Sequence, residues 1–356
     1  MKVPFIGVNP AIRVPKIGVY TLKGYPDYFI YKEGNSYVAK DSDGAIARRK
    51  VSFSDVLQWA VDALSEGGRI VIGSGSYILD STVTLSSKIW IQGSGASTYI
   101  KLADDVNSHM FKIPQNSTNV RMSNLFLDGN KDNQTGGDVI RVEGYTWRVI
   151  LEHLTIRYAK DYGIHFIGSG SNYNYEPILI DLDVKGCGSD GINISYTNDL
   201  YGLDLYSEGN DGIGIAFYDS GNTVYHPHAY NNYGPAGIYV SEYSKDCRLM
   251  HPHLDTNQRH GVIVKGQRNV LVSPFAFNNS QESAGSYDGI HLEDATDCIV
   301  VGGVSTDWQD TKTQRYGIYE GGSSDYNIIT NNNVRGNLAG GISTVGANTI
   351  TANNIG

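Results

Sequence analysis

Asp190-Gly191-Ile192-Asn193-Ile194 and Asp288-Gly289-Ile290-His291-Leu292 read as one short strand written twice. The glycine followed by isoleucine or valine returns at Gly163-Ile164, Gly191-Ile192, Gly212-Ile213, Gly237-Ile238, Gly261-Val262, Gly289-Ile290, Gly317-Ile318 and Gly341-Ile342, at intervals of 28, 21, 25, 24, 28, 28 and 24 residues. A period of this size marks a solenoid, whose repeats bury their apolar faces only by stacking on one another. Side chains alternate along a strand, so the Ile or Val points inward, the next residue outward and the one after inward again. That second inward position reads Phe166, Ile194, Ile215, Val240, Val264, Leu292, Glu320 and Thr344, with Glu320 as the exception to an otherwise plausible core column.

A second run aligns in the same way: Tyr225-His226-Pro227-His228-Ala229, Met250-His251-Pro252-His253-Leu254 and Val272-Ser273-Pro274-Phe275-Ala276. Asn231-Asn232 and Asn278-Asn279 follow such runs and are expected to stack from turn to turn. Earlier in the chain, Arg69-Ile70-Val71-Ile72, Tyr77-Ile78-Leu79 and Ile89-Trp90-Ile91 are short β runs broken by Gly and Ser, too close together for crossover helices. The composition agrees: 42 Gly, 25 Tyr and only 18% charged residues in 356 suit a turn-rich all-β chain.

Residues 1–50 lie outside the repeat and read as an N-terminal appendage with Pro4, Pro10, Pro15, Pro26 and a hairpin from Tyr28 to Ala39. The main body is then 51–356. Ser54 is expected to open a capping helix over 54–66, with Val56, Trp59, Ala60, Ala63 and Leu64 on one face and Gly67-Gly68 as its stop, covering the open end of the first turn.

The run Gly68 to Ile72, the turns Gln92-Gly93-Ser94-Gly95 and Leu127-Asp128-Gly129-Asn130, and the capping helix resemble the pectate-lyase-like right-handed parallel β-helix superfamily. The resemblance implies an all-β, right-handed single-stranded parallel β-helix of about ten or eleven coils. It also implies a protein acting on or binding carbohydrate: a polysaccharide lyase, a mannuronan C5-epimerase, a glycoside hydrolase or a phage tailspike. In the epimerases a Tyr-Gly-Phe-Asp-Pro-His motif follows the Asp-Gly-Asn turn. Here that stretch is Tyr162-Gly163-Ile164-His165-Phe166-Ile167, so the tyrosine matches while the family's aspartate falls on His165 and its histidine on Ile167.

Equivalent residues of neighbouring turns lie ~4.8 Å apart, so a site should appear as a polar strip. The first strip comprises Asp161, Tyr162, His165, Asp190, Asn193 and Asp211. Removing the proton beside a uronate carboxylate needs a base, an acid and a cation. Tyr162 and His165 fit the first two roles, with Lys131, Arg141 or a bound calcium ion as the third. Asp190 and Asp211 read alternatively as the carboxylate pair of a glycoside hydrolase, or as ordinary turn aspartates. The second strip, Arg259, His260, Lys265, Tyr287, Asp288, His291, Glu293, Arg315, Tyr316, Tyr319 and Glu320, would bind an acidic glycan or form a solvated salt-bridge face. The third gathers His226, His228, His251 and His253, where a divalent metal is conceivable; no cysteine or paired acid completes a tetrahedral set, so simple ladder packing is expected and no metal is assigned.

The net charge of −9 argues against a nucleic-acid or anionic-membrane partner and leaves a polysaccharide. Cys187, Cys247 and Cys298 are expected to be free, because the last two sit at one position two turns apart, beyond disulfide reach. No signal peptide is visible in residues 1–14, and the superfamily resemblance points to an extracellular or virion-associated monomer or homotrimer.

Overall fold

The computed structural model describes residues 25–356, so Pro4, Pro10 and Pro15 lie outside the described residues. The chain winds into a parallel β-helix. One face is an eleven-strand parallel sheet, called here the ladder sheet, which takes one strand from each turn between Val83–Thr84 and Gly340–Ser343. The other faces carry longer strands such as Ile150–Arg157, which pairs in parallel with Arg121–Asp128 on one side and Ile178–Lys185 on the other. Inward residues from every face, including Ile164, Phe166, Ile192, Ile194, Ile238, Val240, Ile290 and Leu292, form one continuous buried core.

The glycine column exists because another column presses against it. Asn210, Asn232, Asn257 and Asn279 stack inside successive turns, each amide nitrogen donating to the next Oδ1 at 2.8, 3.2 and 3.1 Å, and Asn279 continues to Gln314 at 3.1 Å. A Cβ placed on Gly237 would lie 2.5 Å from Asn257 Nδ2, and one on Gly214 would lie 2.6 Å from Asn232 Nδ2. Only glycine leaves room for the ladder.

That contact corrects the register in one turn. Ile192 pairs with Ile215 and Ile194 with Phe217, so the ladder glycine there is Gly214 rather than Gly212, and the inward residue aligned with Ile194 is Phe217 rather than Ile215. The slip is two residues, which preserves the inward and outward alternation and so is invisible to a pattern of Gly-Ile pairs. Glu320 is inward as expected and wholly buried. Its Oε1 accepts from Asn327 Nδ2 and Thr349 Oγ1 at 2.8 Å, and its Oε2 from the Val345 and Gly346 amides at 3.3 Å, so neutral donors satisfy the carboxylate. Thr344, by contrast, is exposed and not a core residue, since the last ladder strand ends at Ser343.

The His-Pro-His runs sit at a corner. Asp204, His226, His251 and Ser273 occupy equivalent positions with φ near 50° (52°, 50°, 54° and 48°), a left-handed bend that Asp, Asn and His tolerate better than most residues. The corner turns His226 and His251 outward and begins a new face with His228 and His253.

The helix runs from Phe53 to Ala63, with Ser52 rather than Ser54 as its N-cap, its side chain accepting from the Asp55 amide at 3.1 Å. Ser54 instead accepts from the Asp80 and Ser81 amides at 2.9 and 3.1 Å, tying the helix to the first turn. The buried face is Phe53, Val56, Leu57, Ala60 and Val61, so Ala63 lies on the exposed side. Tyr28–Glu33 and Ser36–Asp41 form the expected hairpin, and the first of these strands also pairs in parallel with Gly68–Ile72, which joins it to the solenoid sheet. The three cysteines are free and buried; burial pushes the Cys187 thiol up to about 12 and those of Cys247 and Cys298 to about 11, which keeps them unreactive.

Asn257→Ala removes acceptors of Asn232 and the partner of the Ala229 carbonyl inside a closed core. It is expected to lower stability by about 2–3 kcal/mol, read as an earlier denaturant midpoint; a midpoint equal to that of the wild type would contradict a structural role for the ladder.

Candidate functional site

The residues two places before the first inward position of each ladder strand form a column across the turns. In the order of the strand pairing it reads His109, Asp138, Tyr162, Asp190, Ile213, Ala236, His260, Asp288 and Tyr316. The triplet His-Asp-Tyr therefore occurs twice, six turns apart.

The two copies share their hydrogen bonds. The Asp138 amide donates to His109 Nδ1 at 3.0 Å and the Asp288 amide to His260 Nδ1 at 3.0 Å. The Tyr162 amide donates to Asp138 Oδ1 and the Tyr316 amide to Asp288 Oδ1, both at 3.2 Å. Each aspartate is almost wholly buried and each holds an arginine and a second histidine. Asp138 Oδ2 lies 3.0 Å from Arg141 Nη1 and 3.2 Å from His165 Nδ1. Asp288 accepts from Arg315 at 2.8 and 2.7 Å and lies 2.8 Å from His291 Nδ1. Burial alone would push both carboxyls up, but the hydrogen bonds from His165 and Arg141, and from Arg315 and His291, outweigh it and hold both below the ordinary carboxylate range.

In the first copy the rings of Tyr162 and His165 lie 4.0 Å apart, and Arg141 Nη1 is 3.4 Å from His165 Nδ1. Asp138 thus orients an imidazole whose other nitrogen is left for a ligand, with a phenol on one side and a guanidinium on the other. Asp190 follows in the column but is differently engaged: Asn193 Nδ2 donates to it at 2.7 Å and the Ile213 amide at 2.8 Å, and burial pushes its carboxyl up. Asn193 also accepts from Ser195 at 2.7 Å.

Asp211 does not stack on Asp190, because the register places Ile213 there. Its exposed carboxylate instead pairs with Lys131 Nζ at 2.7 Å, so the alternative carboxylate pair of a glycoside hydrolase is not stacked. Asp161 caps the Gly137 amide at 2.7 Å. Arg141 sets a guanidinium beside His165 and Asp138, and the buried carboxylates are engaged by Arg, His, Asn and amide donors.

A cavity of about 990 Å³ is lined by Tyr173, Tyr196, Tyr218, Tyr243, Ser195 and Asp219 among others. Burial, reinforced by the negative charge of Asp190, pushes the Tyr218 phenol up to about 12. In the second copy Tyr316 and Tyr319 stack 5.5 Å apart, Arg315 lies 4.3 Å from the Tyr319 ring centroid, and His291 Nε2 is 3.0 Å from Glu293 Oε2. Arg259 turns aside to Glu282 at 2.7 Å, and Glu320 points into the core.

Sequence reasoning brought together Tyr162 with His165, and His260 with Asp288, His291, Arg315 and Tyr319. It missed His109, Asp138 and Tyr218. Asp138-Val139-Ile140-Arg141 carries the spacing of Asp190-Gly191-Ile192-Asn193 and Asp288-Gly289-Ile290-His291, with Val139 in the glycine position, and that was the available signal.

His260 gives the site a pH signature. Burial, then the neighbouring His291 charge, lowers its pKa to about 3, in keeping with an Nδ1 that accepts from the Asp288 amide. The unfolded imidazole titrates near ~6.5, so between the two values the unfolded chain binds the extra proton and stability falls as pH falls. Stability measured across this window is expected to drop, and His260→Gln to flatten that acid limb; an unchanged limb would contradict a neutral His260.

A family model described as right handed beta helix region matches residues 138–305. Mannuronan C5-epimerase AlgE5 of Azotobacter vinelandii is 30% identical over 149 residues, which is 36% of this chain and 15% of the relative, so the match spans a small part of that protein's length. Among solved structures, the A-module of A. vinelandii mannuronan C-5 epimerase AlgE4 superposes with a TM-score of 0.73 at 20% identity, covering 85% of this chain and 91% of that one. The enzymatically active domain of bacteriophage CBA120 tailspike protein 2 gives 0.65 at 12% identity, covering 84% and 50%. At these identities the superpositions speak for the fold. The stacked turns and the matched family model give this chain the right-handed parallel β-helix fold.

Proposed function

We propose that the chain binds an extended acidic polysaccharide along the outward side of the ladder sheet and removes the proton beside a uronate carboxylate at Tyr162 and His165, as a lyase or C5-epimerase. The observation that carries this reading is the convergence of His165, Arg141 and Tyr162 on the buried Asp138. Arg141 neutralises the substrate carboxylate and so stabilises the enolate-like intermediate. His165, oriented through Nδ1 by Asp138, takes the proton. Tyr162 gives one to the leaving oxygen in a lyase, or back to the carbon in an epimerase. The tyrosine-lined cavity offers aromatic rings on which further sugars of the chain stack. The sequence match to a mannuronan C5-epimerase supports a uronate as the substrate class.

The second His-Asp-Tyr copy extends the reading. Six turns at ~4.8 Å place it roughly 29 Å along the face, where Arg315 can engage a second carboxylate of the same chain.

A second reading is a non-catalytic fibre that binds glycan, and one residue favours it: the family's histidine position holds Ile167, which cannot titrate. Either reading places the protein outside cells or on a virion. No helix among the described residues is long and apolar enough to cross a membrane.

Incubation with a panel of uronate polymers should yield an ultraviolet-absorbing unsaturated product, or a change of epimer content by proton NMR. Tyr162→Phe and His165→Gln should each lower kcat by about 10²–10⁴. Silence in both assays removes the catalytic reading, and glycan binding by a stable trimer without turnover would select the fibre. Arg315→Gln should raise KM for long polymers while leaving short oligosaccharides unaffected; an equal effect on both would separate the second copy from substrate binding.

A further inference from the structure

The face that begins after the left-handed corner carries a different chemistry from the ladder sheet. His228 and His253 occupy equivalent positions in adjacent turns, and their rings stack 4.1 Å apart with 7° between planes. Asp255, two residues beyond His253, brings Oδ1 to 2.8 Å from His228 Nε2 and 3.6 Å from His253 Nε2. The acid that the His-Pro-His motif lacks is thus supplied from just outside it. His253 Nε2 is buried and makes no hydrogen bond. A groove of about 590 Å³ is lined by His228 and His253 together with Asp181, Asp183 and Tyr206.

We propose that His228, His253 and Asp255 form a binding site for a divalent transition-metal ion of the zinc, copper or nickel class, with a remaining coordination position facing the groove. One donor atom from each residue lies within 4.8 Å of the others, which is the compactness a single ion requires. Two imidazoles and one carboxylate suit these metals, whereas calcium prefers a shell made of oxygens. Three protein ligands leave the fourth place of a tetrahedral ion to water or to a ligand in the groove.

The other compact group, His260, Asp288 and His291, makes a useful contrast. Its carboxylate already accepts twice from Arg315 and its His260 Nδ1 accepts the Asp288 amide, so a cation there would displace a buried ion pair and meet a guanidinium. Nearby Lys185, by comparison, is engaged by Glu208 at 2.8 Å and lies 3.7 Å from Asp183.

The test uses the full chain without an affinity tag, titrated with Zn²⁺ against a competing chelator and with Co²⁺ as a visible-spectrum probe. One ion per chain is expected, with affinity falling as pH is lowered, because protons compete with the metal for its ligands. His253→Gln and Asp255→Asn should each weaken binding at least tenfold while melting like the wild type. His260→Gln, and His226→Gln with His251→Gln, should bind as before. Absence of stoichiometric binding, binding unchanged in His253→Gln and Asp255→Asn, or binding lost only in the corner or ladder-sheet variants would overturn the assignment.

Discussion

The close approach of the asparagine ladder to the glycine column is the contact on which the other features depend. Each amide from Asn210 to Asn279 is inside the solenoid and must find its partner in the next turn. That requirement keeps the turns in register, since a buried amide with no partner is costly while one in an unbroken ladder is satisfied at both ends. It also dictates glycine on the facing strand. The repeat that is so conspicuous in the sequence is thus the imprint of a second, less regular repeat that it packs against.

Register held this tightly allows a solenoid to place side chains distant in sequence at nearly fixed spacing. Asp138 and His165, or Asp288 and Arg315, meet because their turns are stacked, with no local motif joining them. The same device lets a constellation appear twice. In both copies the aspartate is buried under a histidine from the turn before and a tyrosine amide from the turn after, and the arginine and second histidine balance its charge. The positions of those two differ: Arg141 sits three residues after its aspartate, whereas Arg315 comes from the next turn. The repeated part is the buried support, and the variable part is what faces a ligand.

The outward face is uneven along its length. Between the two copies the column reads Asp190, Ile213 and Ala236, and the outward position one residue into the strand reads Asn193, Ala216 and Tyr239. A charged cluster at either end of a less polar, aromatic middle suits a long ligand with spaced acidic groups better than a compact one. The tyrosine-lined cavity takes in Ser195, which donates to Asn193, and Tyr218, whose phenol feels the Asp190 charge.

The Gly-Ile interval was enough to establish a stacked parallel β-helix, the inward column and the odd Glu320, because core burial repeats once per turn and leaves its period in the residues. The second cluster was legible for the same reason: Asp288, His291, Arg315 and Tyr319 lie on turns that keep the glycine. The first was only half legible, because Val139 replaces the glycine in the turn that carries Asp138 and Arg141. Tertiary structure alone decided the two-residue slip at Gly214, which takes Asp211 off the Asp190 column, and the partnership of Asp255 with His228 and His253. Period-two alternation says which side of a strand a residue faces; which residue of the next turn it meets is set by buried amide contacts between turns, and these have no fixed separation in the sequence.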